Sequence, residues 1–273
     1  MGFIRITILP IIVLLLTLTL ACAVVSTTAT PTQPLATDIP DSSKPGMVLL
    51  DSPIQSTQVK VSQSDPQEYS LIVISTLPMG SSCSEFNGYE IKRMFSGLVD
   101  VQITHFEVDT SQVDQPVECT ADLPIIETEI PLGIGSDLEP GYAVRVNGEI
   151  SAQFLVQDPE GPRMTVAPAP VERISINESG SQPQQYRLNV VYTQPIGSSC
   201  SDFNGFEISR PSSNVFAVAL TNLEVAEKNV PCTDDLPSGE VPILLGTVGT
   251  NLIAGQDYEV VVNGDKTATF TAR

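Results

Sequence analysis

The sequence predicts an all-β protein built from two tandem antiparallel β-sandwiches, on three observations. An internal repeat divides the chain, apolar residues alternate with a period of two inside each copy, and the composition favours turns over helices. A hydrophobic content of 41% can build cores, while 22 prolines, 18 glycines and no tryptophan point to many short strands. A length of 273 residues exceeds the needs of one sandwich.

The chain opens with Arg5 before an apolar run from Ile6 to Leu20 and then Ala21-Cys22-Ala23. Residues 1–21 therefore read as an export signal. Three endings are open: lipidation at Cys22, ordinary cleavage that releases a secreted chain, or retention of an N-terminal span of about 20 residues. Cys22 is the odd cysteine of five, and the segment resembles a bacterial lipobox, with Ala21 as the small residue before the cysteine. It departs from that pattern at Thr19 and Leu20. The resemblance implies a lipid anchor on the outer face of a bacterial membrane. Residues 22–48, rich in Thr, Ser and Pro, have too little apolar surface to pack and read as an extended tether.

The first repeat is expected at 49–157, a linker at 158–168 and the second repeat at 169–273. Pro66 to Arg93 and Pro183 to Arg210 align without a gap, roughly two thirds of their positions identical, which is duplication. Val117-Glu118-Cys119-Thr120 returns as Val230-Pro231-Cys232-Thr233, and both copies close on Val-Asn-Gly at 146–148 and 262–264. Alternation marks the strands: Val59 and Val61; Val99, Val101 and Ile103; Ile130 and Leu132; Tyr142, Val144 and Val146; Ala152, Phe154 and Val156. The second copy repeats it at Phe216, Val218 and Leu220, at Val241, Ile243 and Leu245, and at Tyr258, Val260 and Val262. Asn-Gly between the last two runs of each copy signals a tight hairpin whose central residues take positive φ. About seven strands per copy follow, in an antiparallel arrangement.

Each copy holds two cysteines, so pairing within a copy, Cys83 with Cys119 and Cys200 with Cys232, treats both domains alike. Closing a loop of roughly 35 residues stabilises a domain by about 3 to 4 kcal/mol in the chain-entropy model.

Little in the sequence supports catalysis. His105 is the lone histidine and Asn222 is its counterpart, both at the end of an alternating run, where a solvated strand end is expected. A single histidine and four paired cysteines make no zinc site, no EF-hand loop is present, and no cofactor is implied. Acidic loops at Asp137-Leu138-Glu139 and Asp234-Asp235 read as solvated rather than as calcium sites. The net charge of −19 repels polyanions, which excludes nucleic acid as a partner.

The most alike parts of the copies are two loops, and they hold the candidate recognition residues: Ser81, Ser82, Glu85, Phe86 and Asn87, with Ser198, Ser199, Asp202, Phe203 and Asn204. Recognition from a rigid scaffold explains the likeness. A structural reading is preferred, through the bridge, the glycines and Phe86 and Phe203 as plugs of the sandwich end.

The strand count, the Asn-Gly hairpins and the Tyr-x-Val-x-Val-Asn-Gly ending resemble the immunoglobulin-like modules of bacterial envelope lipoproteins, over nearly everything after the tether. The chain departs from antibody domains in lacking tryptophan and in placing its cysteines in turns. The resemblance implies a non-catalytic binding or structural module at the membrane surface, with a protein or glycan as ligand. The alternative is a protease inhibitor presenting a disulfide-pinned loop, although the loop motifs of immunoglobulin-like inhibitors of cysteine proteases are missing.

Overall fold

The computed structural model describes residues 46–94, 97–112, 116–135, 138, 140–158, 160–180 and 182–273. The export signal, Cys22 and all but the last three residues of the expected tether lie outside the described residues. Among the described residues the protein is all-β, with sixteen strands, one 3-10 turn at Thr110–Gln112 and no helix long and apolar enough to cross a membrane.

The first repeat contains β1 (Met47–Asp51), β2 (Ile54–Val61), β3 (Glu68–Thr76), β4 (Ser84–Met94), β5 (Leu98–Val108), β6 (Ile125–Ile134), β7 (Gly141–Val146) and β8 (Glu149–Leu155). The second contains β9 (Met164–Pro168), β10 (Val171–Glu178), β11 (Gln185–Thr193), β12 (Ser201–Ser212), β13 (Val215–Val225), β14 (Ser238–Thr247), β15 (Asp257–Val262) and β16 (Lys266–Thr271). Eight strands per copy replace the expected seven because a proline splits the first one. Pro53 and Pro170 have no N–H for a ladder, and the chain changes partner at each. β1 pairs with β5 but β2 with β3, and β9 pairs with β13 but β10 with β11. The stretch expected to be a linker thus ends in strand β9, whose proline, Pro168, and short alternation concealed it.

Pairing is repeated copy for copy. β2, β3 and β6 form one ladder in the first repeat, as β10, β11 and β14 do in the second. β5 takes β4, β1 and β7, and β7 takes β8; β13 takes β12, β9 and β15, and β15 takes β16. A purely antiparallel arrangement does not hold. β5 with β7 and β13 with β15 run parallel, because the intervening β6 or β14 belongs to the other ladder and the chain returns from it in the original direction.

The alternating residues fill two separate clusters. Leu71, Val101, Ile103, Ile130 and Val144 are fully buried in one, and Leu188, Val190, Leu220 and Val260 in the other. Rings line the same end of both, with Tyr69 stacked on Phe154 at 5.6 Å and Tyr186 on Phe270 at 4.6 Å. The Asn-Gly hairpins form as expected, Asn147 and Asn263 having φ of 49° and 48°. Each asparagine also clamps three segments. Asn147 Oδ1 accepts the Ile103 N–H at 2.8 Å while Nδ2 donates to the carbonyls of Ser52 and Ile103. Asn263 does the same to Leu220 and Ala169.

The two repeats are joined by strand pairing. β12 lies beside β8, with Phe206 opposite Gln153 and Glu207 opposite Ala152, and touches β2 where Ser209 faces Ser56. Glu207 Oε1 accepts the Val59 N–H at 2.8 Å, Asn204 Oδ1 accepts the Leu155 N–H at 3.1 Å, and Arg210 lies 3.6 Å from Glu149.

Candidate functional site

In both copies the loop ahead of β4 or β12 is closed by a disulfide, Cys83 to Cys119 and Cys200 to Cys232, with Cα atoms 5.6 Å apart in each. The bridge is one of several fasteners. Asp122 Oδ1 accepts the Ser81 N–H at 3.1 Å, Thr120 Oγ1 accepts the Ser82 N–H at 3.2 Å, and Ser82 Oγ accepts the Thr120 N–H at 2.9 Å. Asp235, Thr233, Ser198 and Ser199 repeat the set at 3.1, 3.3 and 3.0 Å. The carboxyls of Asp122 and Asp235 are held at about 2 by hydrogen bonds to them, first from the Thr120 and Thr233 side chains, next from the Ser81 and Ser198 side chains and then from the Ser81 and Ser198 N–H groups.

The glycine ahead of the serines is dictated by this closeness. A Cβ on Gly80 would lie 2.2 Å from the Thr120 carbonyl oxygen, and one on Gly197 1.8 Å from that of Thr233. Much of the likeness between the loops therefore comes from the latch. The Cys-Thr-x-Asp segments at 119–122 and 232–235 were the signal for it, since both copies carry them.

The remaining candidates divide by environment. Glu85 and Asp202 are exposed. Phe86 and Phe203 are half-buried against the two cores, Phe203 stacked on Tyr192 at 4.3 Å. Asn87 Nδ2 donates to Thr104 Oγ1 at 3.0 Å and Asn204 Nδ2 to Thr221 Oγ1 at 2.9 Å. The loops are not equivalent in their surroundings. Ser198, Ser199 and Asp202 line a groove of about 320 Å³ with Pro140, Leu155 and Gln157 of the first repeat.

Two residues absent from the expected set complete the surface. Leu123 and Leu236 follow the latch aspartates directly and are 64% and 66% exposed, large apolar side chains held out at the same place in both copies. The repeated Asp-Leu-Pro was their only trace in the sequence.

No family model matches this chain, and no curated protein or solved structure matches it.

His105 is not at a solvated strand end. It is 1% exposed, with Ser52 Oγ 3.2 Å from Nδ1 and Glu107 Oε1 2.8 Å from Nε2. Asn222 is likewise fully buried. Both sit on β5 or β13 where β1 or β9 covers the strand, a pairing the alternation did not reveal. The serine and glutamate meet the two ring nitrogens in the reverse of a hydrolase triad, in which the serine bonds Nε2 and the acid Nδ1, and Ser52 is only 2% exposed. Ala169 and Asn222 occupy the corresponding places in the second repeat. Among the described residues no group of three or more His, Cys, Asp or Glu side chains is placed to hold a metal ion. Asp137 and Glu139 lie outside the described residues.

Proposed function

We propose that the chain is a non-catalytic binding or structural module of a bacterial cell envelope, made of two immunoglobulin-like sandwiches and held to the outer face of the membrane by a lipid on Cys22. The observation that carries it is the twin presentation of Leu123 and Leu236. Each is held out from a segment that a disulfide and a carboxylate latch immobilise, so that little ordering entropy would be lost on binding a protein or glycan. The burial of Ser52 and His105 supports a role without turnover, and the two disulfides suit an oxidising, extracytoplasmic setting.

Intact mass of the exported protein tests the address. A diacylglycerol increment on a chain that begins at Cys22 is expected, and an unlipidated chain would overturn the anchor. The same rigid, leucine-bearing loop favours a second reading as a protease inhibitor. Inhibition of a protease panel that disappears with Leu123→Ser or Leu236→Ser would establish that reading in place of the first.

A further inference from the structure

The joint between the repeats has two halves, and each half occurs a second time in the molecule without its counterpart. The receiving half is the pair of edges β8 and β2, between which β12 enters. Its equivalent in the second repeat is β16 and β10, where Ala268 and Thr269 correspond to Ala152 and Gln153, and Ile176 to Val59. Among the described residues β16 pairs only with β15 and β10 only with β11. Between them lies a groove of about 630 Å³, lined by Ile176, Glu178, Thr269 and Phe270 among others. Ala152 is fully buried beneath the joint, whereas Ala268 is partly exposed. The entering half is the outer edge of β12, and its equivalent is β4. Tyr89, Glu90 and Arg93 stand there for Phe206, Glu207 and Arg210, and both strands carry the same bulge, at Phe86/Gly88 and Phe203/Gly205. Among the described residues β4 pairs only with β5.

We propose that the β4 edge of one copy of this chain docks into the β10–β16 groove of a second copy, repeating between molecules the joint that links the repeats within one. Transferred residue for residue, Tyr89 lies opposite Thr269 and Glu90 opposite Ala268. The Glu90 carboxylate accepts the Ile176 N–H, and Arg93 approaches Asp265 as Arg210 approaches Glu149. Charged residues on a free edge commonly block strand pairing, and Glu90, Lys92 and Arg93 are charged. β12 nevertheless carries Glu207 and Arg210 at two of these three positions and is paired. Two positions fit less well than the internal joint. Lys92 meets Arg173 where Ser209 meets Ser56, and Ile174 replaces Thr57, whose hydroxyl donates to the Ile208 carbonyl. The contact joins different surfaces of identical chains, so it is head-to-tail and adds further copies, in a ring or a filament according to the rotation at each step.

This inference rests on the reading of the chain as a binding or structural module. The two fail separately: a lipidated chain that stays monomeric sinks only the docking, and an assembling chain without lipid sinks only the anchor.

Sedimentation velocity of the full-length exported chain over a range of concentrations tests it. The wild type is expected to form a concentration-dependent series of oligomers. Glu90→Lys removes the entering edge, and Thr269→Pro removes an N–H that points out of edge strand β16, where proline is tolerated. Each variant alone is expected to remain monomeric, whereas an equimolar mixture of the two forms a heterodimer and nothing larger. Lys92→Ser, which restores the residue of the internal joint, is expected to tighten assembly by roughly two- to fivefold, the factor for removing one like-charge cross-strand pair. A wild type that is monomeric throughout, assembly that survives either substitution, or a mixture that stays monomeric would overturn the proposal.

Discussion

Glu207 of the second repeat accepts the backbone N–H of Val59 in the first at 2.8 Å, so a side chain of one copy completes an open strand edge of the other. Replacing Glu207 with Leu leaves that N–H without a partner beneath β12. The expected loss is about 1.5 to 3 kcal/mol, the range for a hydrogen bond to a charged group, read as weaker hydrogen-exchange protection of Val59.

The pH dependence of the joint follows from two carboxyls. Burial pushes Glu207 and Glu149 above the ordinary glutamate value of 4.5, opposed by the Val59 N–H for Glu207 and by Arg210 and Asn251 for Glu149. An acid whose folded value is raised binds its proton more tightly in the folded state. Its contribution is full below 4.5 and is lost as pH rises through the higher folded value. Protection factors of Val59 and Leu155 are expected to increase as pH falls toward 4.5, and an unchanged ratio between pH 7 and 5 would refute this.

The latches respond in the opposite sense. Asp122 and Asp235 lie at about 2 against an ordinary 3.8. Their contribution is present above 3.8 and is lost as pH falls toward 2. Limited proteolysis of the disulfide loops is expected to accelerate only below about pH 4, and Asp122→Asn with Asp235→Asn to weaken that dependence.

A clash at the loop glycines makes a sharper test of the latch. Gly80→Ala places a methyl 2.2 Å from the Thr120 carbonyl oxygen at a φ of 78°. A loss of about 2 to 3 kcal/mol is expected by thermal unfolding, within the range for forced overpacking, and Gly197→Ala should behave alike.

Asn147 and Asn263 separate turn chemistry from clamping. Glycine suits positive φ better than asparagine does, so Asn147→Gly would be neutral or stabilising if the turn were all that mattered. Three hydrogen bonds depend on the side chain, however, and a loss of about 2 to 4 kcal/mol is expected in chemical denaturation.

The buried trio has a control within the chain. Ser52→Ala with His105→Asn installs the residues found at 169 and 222. The double variant is expected to fold, with a stability change of about 1 kcal/mol or less, since most of the volume is kept. Loss of a measured hydrolytic activity in that variant would refute the non-catalytic reading.

Periodicity alone identified most of the core, because each strand has one face toward a packed cluster: Val99, Val101 and Ile103 are all at 0% exposure. Duplication revealed the cysteine pairing and the hairpins, whose determinants lie within a few residues or recur at a fixed offset. His105 and Asn222 escaped because their burial depends on β1 and β9, strands hidden in proline-bearing segments. The Thr120 and Asp122 latch was visible only as an unexplained likeness, since its partners Ser81 and Ser82 lie about forty residues upstream in sequence and next to it only in space.

From its sequence alone this protein is bound to be a duplicated all-β chain with one bridge per copy, because alternation, Asn-Gly turns and repeated cysteines act locally or by symmetry. Tertiary structure decided which edges meet. Backbone N–H and C=O groups are the same at every residue, so no pattern of side chains announces that β12 will complete β8 and β2. The parallel pairs, the burial of His105 and the unmatched halves of the joint at β4 and β16 all follow from where the chain crosses in three dimensions.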